Sequence, residues 1–432
     1  MACENCGAPV TAPAKYCSGA CRQRAYRRRT RDVTPASGSP RLDTFVGRTA
    51  ELAGLTKLLA RHRIVTVVGP PGVGKTRLVQ EAIAHRQHVM LVELADATRV
   101  TDLVARGPKP ALLVLDGCEH VLADCAALVQ RHPALRVLAT SRELLNVPGE
   151  QAYRLNPLEQ HDAVRLFCDR ALAVDSEFDD SAELLDTVCA RLDRLPLALE
   201  LAARLVRVLT LEEIAARLGN RFAVLTTGPR DASPHHRSLH AAIDRSHALL
   251  TDAERAAFRT FSLLPGGIGR ELADALLPQG WEMAKRLQAQ SLLQGGERPK
   301  MLESVRLFAF GMLLQHDSIA VRDRLLDVLA ALPEPLRTEE ADNIRYAAKL
   351  VPDDDRLVVD THESDETEDV PLSWREERLL RVAAMVAEGL TNKQIADGLH
   401  VSLRTVEADV RDLKTVLGVR SRAQIAAWAT QA

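Results

Sequence analysis

The sequence predicts a multidomain chain: an α/β domain built on a parallel sheet, then all-α regions, then a compact four-helix unit at the C-terminal end. Three observations lead there. Short apolar runs alternate with helical patterns up to about residue 157. From about 158 to 350 the periodicity is almost wholly helical, with Pro and Gly breaks near 195, 229, 265 and 295. Two compositional breaks, Pro35-Ala-Ser-Gly-Ser-Pro40 and the acidic stretch 353–369, set apart a small cysteine-rich start and a compact end.

A chain of 432 residues exceeds one ordinary core. Hydrophobic residues at 46% and charged residues at 26% are usual for a globular protein, while aromatics at 3% leave Ala and Leu to build the core. The expected domains are 1–31, a linker at 32–41, an α/β domain over 42–157, a helical lid over 158–228, a winged-helix-like region over 229–350, an acidic linker at 351–370 and the terminal unit 371–432. No apolar run approaches the roughly 20 residues of a membrane span, and no basic patch leads into an apolar stretch at the start. The expectation is a cytoplasmic protein without a membrane partner. Net charge is -2, but its distribution is uneven. Residues 1–31 carry seven Lys/Arg against one acid, and residues 353–369 carry nine acids against one Arg.

The α/β expectation rests on the runs Ile64–Val68, Val89–Leu94, Ala111–Leu115 and Leu135–Ala139, with helical patterns such as Thr76–His85 and Val121–Arg131 between them. Gly69-Pro-Pro-Gly72-Val-Gly74-Lys75-Thr76 fits GxxxxGK[ST] in full, after a strand and before a helix. Glycines let backbone N–H groups turn inward onto phosphate oxygens, and the helix N-terminus adds positive potential. Lys75 is expected on the β/γ-phosphates and Thr76 on Mg²⁺. Asp116, ending the apolar run Ala111–Leu115, is the expected second Mg²⁺ anchor; capping of the next helix is the other role open to it. Glu119 is either a water-orienting group or a solvated helix residue. Arg142, after the run Leu135–Ala139, is either a γ-phosphate sensor or a surface arginine.

Residues about 42–310 resemble the STAND class of P-loop ATPases, near its NB-ARC type. The matching segments are Phe45-Val46-Gly47-Arg48, the phosphate loop, LLVLDGCEH, LATSRE, YRLNPL, RLDRLPLALELAA and MLESVRLFAF. The resemblance implies that Val46, Arg48 and Pro196 border a bound ATP or ADP. It also implies slow hydrolysis at most, used as a switch, and self-association. The chain departs from it in reading Asp116-Gly117 where relatives commonly read Asp-Asn, and in lacking the long helical-repeat sensor regions usual there.

Over 373–430, Val406, Val410, Leu413 and Leu417 form one apolar helical face, with Arg404, Arg411 and Lys414 opposite. That pattern suits a recognition helix after a tight turn, or a generic helical bundle. Gly389-Leu-Thr-Asn-Lys-Gln-Ile-Ala396, Ser402-Leu-Arg-Thr-Val-Glu407 and Leu417-Gly-Val-Arg-Ser-Arg422 resemble the LuxR-type helix-turn-helix. The resemblance implies double-stranded promoter DNA as partner, with RNA polymerase a further candidate, and Thr391, Lys393, Arg404, Thr405 and Arg411 as contacts. Asp409 and Val416 depart from it: Asp409 is expected on the DNA-facing side, where an acid would weaken binding.

Cys3-x2-Cys6 and Cys17-x3-Cys21, with ten residues between the pairs, suit one tetrahedral Zn²⁺; four free or redox-active thiols are the alternative. The segment resembles small zinc-ribbon modules followed by a basic helix. Cys118, Cys125, Cys168 and Cys189 are widely spaced and expected in the core. Two functions are therefore in play: a transcription regulator governed by a nucleotide switch, and a signalling ATPase or protein-interaction switch with a weak or vestigial DNA-binding domain.

Overall fold

The computed structural model describes residues 34–35, 44–94, 100, 110–218, 225, 238–314, 318–350, 381–383, 385–399, 406–407, 409–411, 413 and 421–431. The four N-terminal cysteines, Arg404, Thr405, Val416 and the acidic linker lie outside them.

Six strands form one sheet: β1 (Thr34–Pro35), β2 (Ile64–Val68), β3 (Val89–Glu93), β4 (Leu112–Asp116), β5 (Val137–Ser141) and β6 (Glu150–Arg154), in the order β1-β3-β4-β5-β2-β6. The two-residue β1, inside the stretch expected as a linker, pairs antiparallel with β3; all other pairs are parallel. Every residue of β2 and β5 is buried. A strand covered on both faces has no solvent side to alternate with, hence the unbroken apolar runs seen in the sequence. Helices α1 (Thr49–Arg61), α2 (Lys75–Ile83) and α3 (Leu122–Arg131) bury apolar faces through Leu55 and Leu59, through Leu78, Val79 and Ile83, and through Cys125, Leu128 and Val129.

The expected lid is helical: α4 (Gln160–Leu172), α5 (Ala182–Arg191), α6 (Pro196–Ala203) and α7 (Leu211–Arg217). Local chemistry sets their starts. Ser181 accepts from the Leu184 N–H, Thr210 and Glu213 form a reciprocal capping box, and Pro196 opens α6 where no N–H is needed. Then follow α8 (Leu239–Ala248), α9 (Asp252–Phe261), α10 (Arg270–Leu276), α11 (Gly280–Ala289) and α12 (Glu303–Leu314). The isolated bridge Gln294↔Lys300 closes a turn at Gly295, whose φ is +95°.

The chain divides into two compact units, Met1–Ser262 with Gly267–Asp317, and Leu263–Gly266 with Ser318–Ala432. In the second, α13 (Ser318–Ala330), α14 (Glu334–Glu339) and α15 (Ala341–Leu350) precede the terminal helices α16 (Asn392–Leu399) and α17 (Arg422–Gln431). Val382, Val386, Ile395, Leu399, Val406, Val410, Leu413 and Ile425 form the terminal core.

Asp409 corrects an expectation. It is 1% exposed, not on the DNA-facing side. Positions 406, 409, 410 and 413 share one helical face, so the apolar stripe already assigned Asp409 inward. Cys168 also differs, being only half-buried, whereas Cys118, Cys125 and Cys189 are core residues as expected. No helix among the described residues is long and apolar enough to cross a membrane.

Candidate nucleotide site and DNA reader

The phosphate loop leaves β2 and enters α2 through two left-handed glycines, Gly72 (φ +77°) and Gly74 (φ +92°). A Cβ at Gly69 would lie 2.4 Å from the Leu155 carbonyl oxygen, so only glycine fits there. The loop is braced from two sides. Arg48, 5% exposed, donates to the Val73 carbonyl (3.0 Å) and pairs with Glu51 (2.9 Å). The start of α6 packs from the other side: Leu197 N–H donates to the Gly72 carbonyl (3.2 Å), and Pro196 Cγ would lie 3.8 Å from a Cβ at Gly74. Val46 is half-buried, two residues before Arg48. Arg48 and Pro196, distant in sequence, thus meet at one loop.

Lys75 Nζ donates to the carbonyls of Gly69 (2.7 Å) and Pro70 (3.1 Å). Burial pushes its pKa down to about 8; Arg142 adds to that shift, while Glu119 and Asp116 oppose it. Glu119 and Arg142 therefore both act on the lysine's electrostatics. Thr76 Oγ1 donates to the Asp116 carboxylate, 2.8 Å from Oδ1 and 3.1 Å from Oδ2. A hydroxyl and a carboxylate in contact beside a glycine cradle are hard oxygen donors, a set that suits Mg²⁺. The residues fit a polyphosphate with its magnesium ion.

Arg142 is 6% exposed, and burial lowers its pKa against the pull of Glu119 and Glu143. Its Nη1 donates to the Ser246 carbonyl in α8 (2.9 Å), and its own carbonyl accepts from Ser291 Oγ (2.6 Å). Leu239, at the start of α8, would lie 3.8 Å from a Cβ at Gly72. Helix α8 therefore lies against both the loop and Arg142.

The sequence singled out neither Thr140, in this site, nor Asp193, which caps a helix of the same unit. Thr140, 2% exposed, donates to Asp116 Oδ1 (2.5 Å) and accepts from the Gly117 N–H (2.9 Å). Leu115 pairs with Ala139, so Asp116 and Thr140 are the next neighbours. That signal requires the strand order. Asp193 accepts from the Glu303 and Ser304 N–H groups (2.8 and 2.7 Å), capping α12 from 110 residues away. This contact joins residues 110 positions apart, so it depends on tertiary packing that no local pattern announces.

In the terminal unit Lys393 and Arg411 are exposed. Thr391 is exposed too, and it also works locally: its hydroxyl accepts from the Gln394 N–H (3.3 Å) while Gln394 Oε1 accepts from the Thr391 N–H (2.9 Å). Arg422 Nη1 donates to Asn392 Oδ1 (2.5 Å), tying α17 to the start of α16.

Comparison with known proteins identifies the terminal domain and the relatives of the longer chain. Residues 370–429 match the family described as bacterial regulatory proteins, luxR family. A Mycobacterium tuberculosis protein named as an HTH-type transcriptional regulator, Rv0890c, is 35% identical over 347 residues, covering 69% of this chain and 39% of the relative. The uncharacterized Mycobacterium tuberculosis protein Rv0894 is 35% identical over 271 residues, covering 54% of this chain and 69% of the relative. Among solved structures, the Walker-type ATPase PABY2304 of Pyrococcus abyssi aligns with a TM-score of 0.46 at 11% identity, over 61% of this chain and 96% of that one.

Fold and sequence together define a protein with a P-loop α/β module, helical regions and a C-terminal LuxR-type DNA-binding domain. The chain belongs to one family with Rv0894, of which it covers 69% at 35% identity, and its residues 370–429 form a domain of the luxR family. It spans 39% of the length of Rv0890c.

The lowered pKa of Lys75 has a measurable consequence. A lysine with a pKa of about 8 loses its charge progressively above that pH, and with it much of its attraction for phosphate. The protonated form binds more tightly, so affinity should hold below that pH and fall above it, by up to about tenfold per unit, until it levels off at the affinity of the Lys75→Met protein. Titrating a labelled nucleotide between about pH 7 and about pH 9.5 checks this, with Lys75→Met expected to give a flat profile. Wild-type affinity constant over that range would contradict it.

Proposed function

We propose that this chain is an ATP-binding transcription regulator, in which nucleotide state governs whether the LuxR-type domain engages double-stranded promoter DNA. The observation that carries the proposal is Lys75, Thr76 and Asp116 gathered at one glycine cradle, in a chain that also holds a LuxR-type DNA-binding domain. Bound Mg²⁺ would neutralise phosphate charge, held by Thr76 and Asp116. Lys75 would turn from the loop carbonyls to the β/γ-phosphates. Val46, Arg48 and Pro196 would border the nucleotide, and Gly69, Gly72 and Gly74 would present backbone N–H groups to it. Glu119 would orient water for slow hydrolysis. Arg142 would exchange its bond to Ser246 for the γ-phosphate, so that nucleotide state is felt by α8. The site acts in the cytoplasm, self-association of the chain strengthens DNA engagement, and RNA polymerase is a further partner.

Thr391, Lys393, Arg404, Thr405 and Arg411 would supply the groups that touch DNA. Selection of genomic fragments by the full-length protein, followed by a salt-series titration, tests this. Arg411→Ala should leave stability within about 0.5 kcal/mol, because the side chain is exposed. If Arg411 binds phosphate, the substitution lowers affinity for all sequences and flattens the salt slope by about one unit; if it reads a base, the substitution costs roughly 1–3 kcal/mol and relaxes specificity. If no sequence is selected in any nucleotide state, the chain is a signalling ATPase instead.

Cys3, Cys6, Cys17 and Cys21 would hold one structural Zn²⁺. Elemental analysis of protein purified under reducing conditions should find one zinc per chain, released by Cys17→Ser. Sub-stoichiometric zinc in the wild type would remove this part of the account.

A further inference from the structure

We propose that Thr140 is a positioning residue for the Asp116 carboxylate, and that it sets the Mg²⁺ dependence of nucleotide binding. The inference rests on the nucleotide reading above and assigns Thr140 a role inside it.

Thr140 lies in β5, a fully buried strand between β2 and β4, with Val137, Leu138 and Ala139 ahead of it. A buried hydroxyl there is costly unless both its donor and acceptor are used. Both are used, and on the same segment. A backbone N–H can only donate, so the Gly117 bond makes Thr140 Oγ1 an acceptor on that side. Its one proton then points at Asp116 Oδ1, 2.5 Å away. Gly117 itself is left-handed, with φ +77°, so the chain turns sharply just after the carboxylate. Thr140 therefore fixes two things at once, the turn that ends β4 and the rotation of the Asp116 side chain. Thr76 reaches the same carboxylate from the phosphate loop. Asp116 Oδ1 thus accepts from two hydroxyls carried on two different elements. A carboxylate held by Thr76 alone would keep its bond to the loop but lose its tie to β5. Positioning of this kind matters most to an ion that demands near-octahedral oxygen geometry.

The test compares wild type, Thr140→Val and Thr140→Ser, with affinity for a fluorescent ADP analogue read in excess Mg²⁺ and again in EDTA. Thr140→Val should lose about tenfold of the affinity seen with Mg²⁺, the scale of one hydrogen bond to a charged group, and should match wild type in EDTA. Thr140→Ser should recover most of the loss, because its hydroxyl can make the same two bonds. In an Asp116→Asn background, Thr140→Val should add little, since the carboxylate it positions is gone. Equal losses in Mg²⁺ and EDTA, or undiminished Mg²⁺ dependence in Thr140→Val, would overturn the assignment. A poorly folded Thr140→Val leaves the decision to Thr140→Ser against Thr140→Ala, with the same outcomes. No nucleotide binding by wild type in either condition would instead overturn the nucleotide reading, and this inference with it.

Discussion

Replacing Lys75 with alanine is expected to lower ATP affinity by at least about tenfold, because the phosphates lose charge-assisted bonds worth roughly 1.5–3 kcal/mol. The lysine already sits at the loop, 2.7 Å from the Gly69 carbonyl, so no rearrangement of the backbone is needed to bring it to phosphate. Its low pKa means that a cation is being held in a poorly solvated place, and a bound anion relieves that cost. Lys75→Met is a useful companion, since it keeps the aliphatic stem. Asp116→Asn should behave differently, weakening binding only where Mg²⁺ is present. Isothermal titration with and without Mg²⁺ separates the two. Wild-type affinity in a folded Lys75→Ala protein would show that this loop is not the site.

Asp193→Ala is expected to destabilise the first compact unit by about 1–2 kcal/mol, the usual scale for a lost helix cap. Its carboxylate pairs the Glu303 and Ser304 N–H groups at the start of α12, where a negative charge also favours the helix dipole. Asp193 and Arg194 are consecutive non-glycine residues at φ +55° and +52°, a conformation that costs energy and persists only where the surrounding structure holds it. Asp193→Gly should therefore lose less than Asp193→Ala, since glycine relieves the strain while forfeiting the cap. Asp193→Asn should lose least, because an acceptor remains. Chemical denaturation ranks the three. Equal stability of Asp193→Ala and wild type would mean that the cap contributes nothing.

The sequence carried the local chemistry well and the distant chemistry poorly. β2, β4 and β5 were visible because strands buried on both faces write continuous apolar runs. β6 was not visible: Glu150-Gln-Ala-Tyr-Arg154 is at most partly buried, so it has neither a run nor an alternation to mark it. Lys75, Thr76 and Asp116 could be named because their spacing follows the loop and the strand that carry them. Thr140, Asp193 and Ser246 could not, because their roles come from a strand order and helix packing that bring residues 24 to 110 positions apart together. Asp409 shows the opposite failure. Resemblance to the LuxR-type domain placed it facing DNA, while its own i+3 spacing from Val406 placed it in the core, and the spacing was right.

The central claim is that nucleotide state governs DNA engagement. It is tested most directly by selecting genomic fragments with full-length protein in Mg²⁺-ATP, in Mg²⁺-ADP and without nucleotide, in parallel with Lys75→Ala. The account predicts that wild-type affinity for a selected fragment differs by at least about tenfold between nucleotide states, a coupling of about 1.4 kcal/mol, and that Lys75→Ala gives one affinity in all three. Equal wild-type affinity in every state, from a protein that demonstrably binds ATP, would contradict it.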